Sequence, residues 1–97
     1  MEVDIKGVHF DVKDETKELI DKKLERVAFA DDYIVNLDFT FTKEKKEFEL
    51  EAKMHFRWGK DAVVKTSSFD LKEGVDKLMD KLEMKIRKEK DKITDRS

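Results

Sequence analysis

Residues 33–42 read YIVNLDFTFT and residues 47–56 read EFELEAKMHF, and these two stretches decide the fold. In the first, Tyr33, Val35, Leu37, Phe39 and Phe41 alternate with Asn36, Asp38, Thr40 and Thr42. In the second, Phe48, Leu50, Ala52, Met54 and Phe56 alternate with Glu47, Glu49, Glu51, Lys53 and His55. A period of two puts each apolar set on one side of an extended chain and each polar set on the other. The charged KEKK between them predicts a turn, so the pair forms a hairpin with one face in water.

Upstream, EVDIKG alternates Val3 and Ile5 with Glu2, Asp4 and Lys6, the pattern of a half-buried strand. Beyond Gly7 the apolar residues are Val8, Phe10 and Val12, so the phase slips, and Gly7 is expected to mark a bulge or the strand's end. Asp14 is the expected N-cap of a helix over residues 15–28, whose apolar face is Thr16, Ile20, Leu24 and Val27. Downstream, WGKD predicts a second turn and AVVKTSSF a shorter strand leading to Asp70, the expected cap of a last helix. Leu71, Val75, Leu78, Leu82 and Ile86 form that helix's stripe, which runs toward Ile93. The order is β-α-β-β-β-α. One solvent-facing side of the sheet leaves the other for both helices, which predicts an α+β two-layer sandwich with a four-stranded mixed sheet. A right-handed βαβ crossover would make the first two strands parallel.

A chain of 97 residues has length for one core, so a single domain over residues 1–97 is expected. With 38% hydrophobic and 47% charged residues the composition approaches that of disordered chains, but the regular placement of the aromatic residues argues for a folded one. There is no cysteine, hence no disulfide framework and no thiolate metal site. The N-terminal MEVDIKG lacks the apolar stretch of a signal peptide, and no run approaches the roughly 18 apolar residues of a membrane span. A cytoplasmic protein without a membrane partner is expected.

The formal net charge is −2, from 22 basic and 24 acidic residues, so any attraction to a polyanion must come from segregation of charge. The last helix shows it. At about 100° per residue, Lys77, Lys81, Lys85, Lys88 and Lys92 line one flank of the apolar stripe, while Glu73, Asp76, Asp80 and Glu83 lie on the far side. Arg87 and Lys90 fall toward that acidic side. Helix one repeats the pattern, with Lys22, Lys23 and Arg26 opposed to Glu18, Asp21 and Glu25. Two readings follow. One is a pair of ordinary solvated faces supported by i,i+4 ion pairs such as Glu18 with Lys22 and Glu83 with Arg87; the other is a surface for a polyanion, which would offset the repulsion between stacked lysines.

Catalytic patterns are wanting. His9 and His55 have no pair spacing and no cysteine partner, so no metal site is expected. The ladder Glu47, Glu49, Glu51 has no apolar companion to raise a carboxyl pKa and reads as a solvated sheet face. Ser67 and Ser68 lack a nucleophile-elbow context, and the three glycines form no phosphate loop. Trp58 in the turn RWGK fits an aromatic shielding the hairpin's end better than one that stacks on a base. Neither an enzyme nor a cofactor or small-molecule substrate is expected.

Three stretches, DIKGVHFDVKDE, IDKKLERV and FDLKEGVDKLMDKLEMKIRKEK, resemble in order and spacing the ribosome hibernation promoting factor family, also called the ribosome-associated inhibitor or S30EA family. The resemblance covers nearly the whole chain. It implies a non-enzymatic, cytoplasmic, stress-linked translation regulator that docks on the small ribosomal subunit, contacts its ribosomal RNA through basic helix residues and blocks the messenger and transfer RNA channel. Carried over by position, those residues are Lys22, Lys23 and Arg26 in helix one and Lys81, Lys88 and Lys90 in helix two. Lys77, Lys85 and Lys92 extend the same stripe. The chain departs from the family pattern at Val8, Lys72, Gly74 and Met84, the last standing where a basic residue is usual. Its length resembles the short form, in which pairing of ribosomes would need another factor. Two other readings are a protein-binding adaptor using the acidic sheet face and a general double-stranded RNA binder.

Overall fold

A computed structural model describes residues 1–94 and the side chains as far as Lys92, so the stripe's continuation toward Ile93 lies outside the described residues. Strand β1 spans Glu2–Val8, helix α1 Asp14–Lys23, a 3-10 segment Leu24–Ala30, β2 Ile34–Lys43, β3 Phe48–Phe56, β4 Asp61–Ser68 and α2 Leu71–Thr94. The sheet order is β1-β2-β3-β4, with β1 parallel to β2 and the other pairs antiparallel. This is the expected α+β architecture: a mixed four-stranded sheet with both helices on one face.

The hairpin reads as predicted along β3, where Leu50, Ala52, Met54 and Phe56 are all buried. They meet Leu37, Phe39 and Phe41 from β2 and Val75, Leu78, Met79, Leu82 and Ile86 from α2. Burial of these side chains stabilises the fold by roughly 1.5–3 kcal/mol each. At its start β2 departs from strict alternation. Val35 is 41% exposed and Ile34 is buried, because the register with β3 shifts between Ile34 and Asn36. The irregularity flips one residue and lets Tyr33 turn back toward the core's end.

Helix one also differs from expectation. The residue flanking it is Lys13, with no side-chain cap bond, and Asp14 is its first helical residue, where its charge still faces the positive helix end. The α-helix stops at Lys23 rather than running to residue 28, and the chain tightens into the 3-10 segment, with Val27 at φ −113°, ψ 17°. The apolar spacing explains the change. Thr16, Ile20 and Leu24 recur every four residues, but Leu24, Val27 and Ala30 recur every three, and a 3-10 helix stacks residues three apart on one side. Val27 and Ala30 are buried as a result.

β1 continues one residue past Gly7, and it is His9, at φ 67°, that takes the left-handed conformation. Gly7 serves a different need. A Cβ there would lie 2.4 Å from the carbonyl oxygen of Phe10, so the returning chain leaves room only for hydrogen. At α2 the expected cap is present: Asp70 Oδ2 accepts from the backbone N–H of Glu73 at 3.4 Å, and its carbonyl accepts from Gly74 N–H at 2.9 Å. β4 ends at Ser68, so Phe69 lies outside the strand and is exposed.

Candidate nucleic-acid interface

Of the five lysines predicted on one flank of α2, Lys81 reaches the free edge of β4. Lys81 Nζ donates to the Lys65 carbonyl at 2.8 Å, which satisfies an acceptor that an edge strand leaves unpaired. Lys77 stands 3.9 Å from Glu73, at the limit of an ion pair. Lys88 is exposed and has no ion pair or hydrogen bond among the described residues.

Lys85 and Lys92 converge on a residue that sequence reasoning missed. Glu89 continues the stripe after Leu78, Leu82 and Ile86, and its side chain is only 1% exposed. Three ammonium groups surround it: Lys60 at 2.8 Å, Lys85 at 3.3 Å and Lys92 at 3.4 Å. The hydrogen bond from Lys60, more than offsetting burial and helped by Lys85, holds its carboxyl at a pKa of about 2. The spacing was visible in the sequence, but a glutamate at an inward position reads as an exception until Lys60 is known to reach it from another element.

Helix one's basic residues behave differently. Lys22 is exposed with no partner among the described residues. Lys23 pairs with Asp76. Arg26 bonds Asp80 at 2.7 Å and Glu83 at 3.0 Å, and these partners raise its pKa, with the Asp80 hydrogen bond foremost. Glu83 also accepts from Arg87 at 3.2 Å, and with Arg87 first and Arg26 second its carboxyl is held below the ordinary range. Arg87 lies 4.5 Å from the Phe29 ring centroid, and Lys90 lies 5.5 Å from that of Tyr33. The basic flank of helix one therefore faces the acidic flank of α2. Lys23, Arg26 and Lys90 lie on that side of α2, and Lys77, Lys81, Lys85, Lys88 and Lys92 on the other.

The open face of the sheet carries more carboxylates than cations: Glu2, Asp4, Asp38, Glu49, Glu51 and Asp61 against Lys6, Lys53 and Lys65. Glu51 pairs with Lys65 at 3.6 Å and His55 with Asp61 at 2.5 Å, while Lys53 sits between Asp38 and Val63 in register. His55 holds the Asp61 carboxyl below its usual range. Glu49 faces Thr42 and Ser67. Among the described residues no group of three or more His, Cys, Asp or Glu could hold a metal ion, and no helix is long and apolar enough to cross a membrane.

Comparison with known proteins gives a consistent match. The family model described as sigma 54 modulation protein / S30EA ribosomal protein matches residues 3–94. A ribosome hibernation promoting factor of Azotobacter vinelandii is 30% identical over 96 residues, covering 99% of this chain and 89% of that protein. Another, from Pseudomonas putida, is 30% identical over 92 residues, covering 95% and 89%. Among solved structures, a ribosomal subunit interface protein from Coxiella burnetii superposes with a TM-score of 0.85 at 30% identity, over 93% of this chain and 98% of that one. The N-terminal domain of Thermus thermophilus Protein Y gives a TM-score of 0.78 at 20% identity, over 91% and 98%, a likeness of fold.

Proposed function

Since the chain belongs to the sigma 54 modulation protein / S30EA ribosomal protein family, a family of non-enzymatic ribosome hibernation factors, we propose that it acts as one ribosome-binding domain over residues 1–97. In this reading it docks on the small subunit in the cytoplasm, contacts ribosomal RNA and blocks the channel used by messenger and transfer RNA.

The observation that carries the reading is the α2 flank. Lys77, Lys81, Lys85, Lys88 and Lys92 stand on successive turns on one side of the helix, and the carboxylates of α2's opposite flank are occupied by Lys23, Arg26 and Arg87. That occupation separates the signs: a chain of net charge −2 turns a cationic strip toward solvent. Each lysine that neutralises a phosphate releases condensed counterions, which supplies affinity without reading base sequence. Lys22 adds an uncommitted cation from helix one. Lys23, Arg26 and Lys90 join the interface only by exchanging present contacts for RNA, and so do Lys85 and Lys92, which share Glu89, so these five contribute less than Lys77, Lys81 and Lys88. On the sheet's open face Glu51 is paired with Lys65 and Asp61 with His55, while Glu2, Asp4, Asp38 and Glu49 keep that face acidic, so the adaptor reading stays as the alternative that the subunit assay decides.

The test is co-sedimentation with small ribosomal subunits, comparing wild type with Lys77→Glu/Lys81→Glu/Lys88→Glu. Lys85 is left intact because a carboxylate there would face buried Glu89. Binding by wild type that the triple variant loses supports the reading, and equal binding removes the lysine flank from it. A short RNA duplex in place of the subunit separates a ribosome-specific factor, which binds it poorly, from a general double-stranded RNA binder.

A further inference from the structure

We infer that the β3–β4 turn, residues 57–60, presents Trp58 as a stacking platform for an unpaired nucleobase of the RNA that the α2 lysines engage; the inference rests on the RNA-binding reading above. Trp58 lies nearly parallel to Phe56, with ring centroids 4.8 Å apart and an interplanar angle of 12°. One face of the indole thereby seals Phe56, which is wholly buried, and the side chain remains 36% exposed. Tyr33 braces the ring from the side, with centroids 6.3 Å apart at 52°. Sealing a phenyl ring requires apolar bulk on one side only, whereas a stacking platform requires a second, open face.

The turn is held rigidly. Gly59 N–H donates to Phe56 O at 3.0 Å, Phe56 N–H to Lys60 O at 2.8 Å and Arg57 N–H to Tyr33 O at 2.9 Å. Gly59 takes φ +83°, which lets the chain reverse within these residues. A platform fixed in this way loses little conformational freedom when a base lands on it.

Charge favours a nucleic acid there. Arg57 and Lys60 flank the indole in sequence, and Lys60 shares Glu89 with Lys85 and Lys92, so the lysine flank of α2 continues into the turn. The neighbouring carboxylates are engaged: Asp61 with His55, Asp31 with the N-terminal ammonium at 3.3 Å, and Glu89 with its three lysines. Asp32, beside Tyr33, and Glu2, which lines a surface hollow with Arg57, are exposed and are the exceptions. Phosphates along Lys85, Lys88 and Lys92 with one base turned onto Trp58 is the combination by which single-stranded segments are held without sequence preference.

Trp58 is the sole tryptophan, so its fluorescence reports on the site directly. A 12-nucleotide single-stranded homopolymer RNA is expected to quench it, and an abasic ribose-phosphate strand of equal length is expected to leave it unchanged. Quenching by neither strand, or equally by both, overturns the stacking assignment. In the subunit assay, Trp58→Leu, which still covers Phe56, is expected to weaken binding about tenfold with the salt slope unchanged, and Trp58→Phe to restore most of it. Trp58→Leu binding as tightly as wild type makes the residue a shield and overturns the inference, while the lysine reading survives. Loss of subunit binding in Trp58→Leu without quenching by the homopolymer assigns the ring to a ribosomal protein and also overturns it. Wild type that fails to sediment with subunits sinks the ribosomal reading, and the homopolymer titration then judges the platform alone.

Discussion

Arg26 and Asp80, which are 54 residues apart in sequence, meet at 2.7 Å, and this pair ties the 3-10 segment that follows α1 to one flank of α2. Beside it, Arg26 reaches Glu83 at 3.0 Å and Lys23 reaches Asp76, so three contacts join the 3-10 turn and the end of α1 to one flank of α2. The charge segregation on helix one is thus the complement of that on helix two, and part of what looks like two ligand surfaces is the seam between them.

The seam predicts a small coupling. Arg26 is 42% exposed, and exposed ion pairs typically contribute about 0.2–1 kcal/mol. Arg26→Ala is expected to lower the urea midpoint by an amount in that range. In a double-mutant cycle with Asp80→Ala, the second substitution should cost less once the first is made. Strict additivity would mean that the contact contributes nothing.

Glu89 predicts an acid transition of definite sign. Its folded pKa, about 2, lies below the ordinary 4.5, so its contribution to stability is complete above about 4.5 and is lost as pH falls toward 2. The full depression corresponds to at most about 3 kcal/mol, and less in practice because Lys60, Lys85 and Lys92 are 46%, 32% and 53% exposed. Glu89→Gln should therefore lower stability at pH 7 by about 1–3 kcal/mol and flatten the urea-midpoint profile between pH 4.5 and 2. A variant that keeps the wild-type slope there would place the acid sensitivity elsewhere.

The sheet and most of α2 were legible because period-two and period-3.6 patterns report burial directly: Leu50, Ala52, Met54 and Phe56 went where their spacing put them, as did Val75, Leu78, Leu82 and Ile86. The failures share a cause. Val35, the end of helix one and Glu89 each depend on a neighbour that the local pattern does not contain. The register shift opposite β3 exposes Val35, the three-residue spacing through Ala30 tightens the helix, and Lys60 from β4's approach makes a buried glutamate tolerable. For the candidate interface, helical periodicity correctly divided Lys81 and Lys85 from Asp76 and Asp80. It could not tell that Lys23 and Arg26 turn toward those acids, because that depends on how two helices dock.

Gly7 predicts a backbone clash. In Gly7→Ala the new methyl would meet the Phe10 carbonyl at 2.4 Å, and the obstacle is main chain rather than a side chain that can rotate away. The expected cost is about 2–3 kcal/mol, since β1 must shift against β2 or the 9–13 segment must move outward. Thermal unfolding of the purified variant checks this, and an unchanged midpoint would show that the segment yields freely.

The lysine flank predicts a change in salt dependence that separates electrostatic docking from loss of fold. Among the described residues Lys88 has no partner, Lys77 only a marginal one, and Lys81 bonds a single exposed-edge carbonyl, so Lys77→Ala/Lys81→Ala/Lys88→Ala should unfold within about 1 kcal/mol of wild type. If each lysine neutralises one phosphate, the slope of log affinity against log salt falls in magnitude by about 0.7–0.9 per residue removed. Measured with small ribosomal subunits, the triple variant should therefore lose about 2–3 from that slope. Lys23→Ala, which gives up an interhelical pair with Asp76, should lose stability while leaving the slope nearly unchanged. The reverse assignment, a slope set by Lys23 and indifferent to Lys88, would move the RNA-facing side of α2 to the seam with helix one.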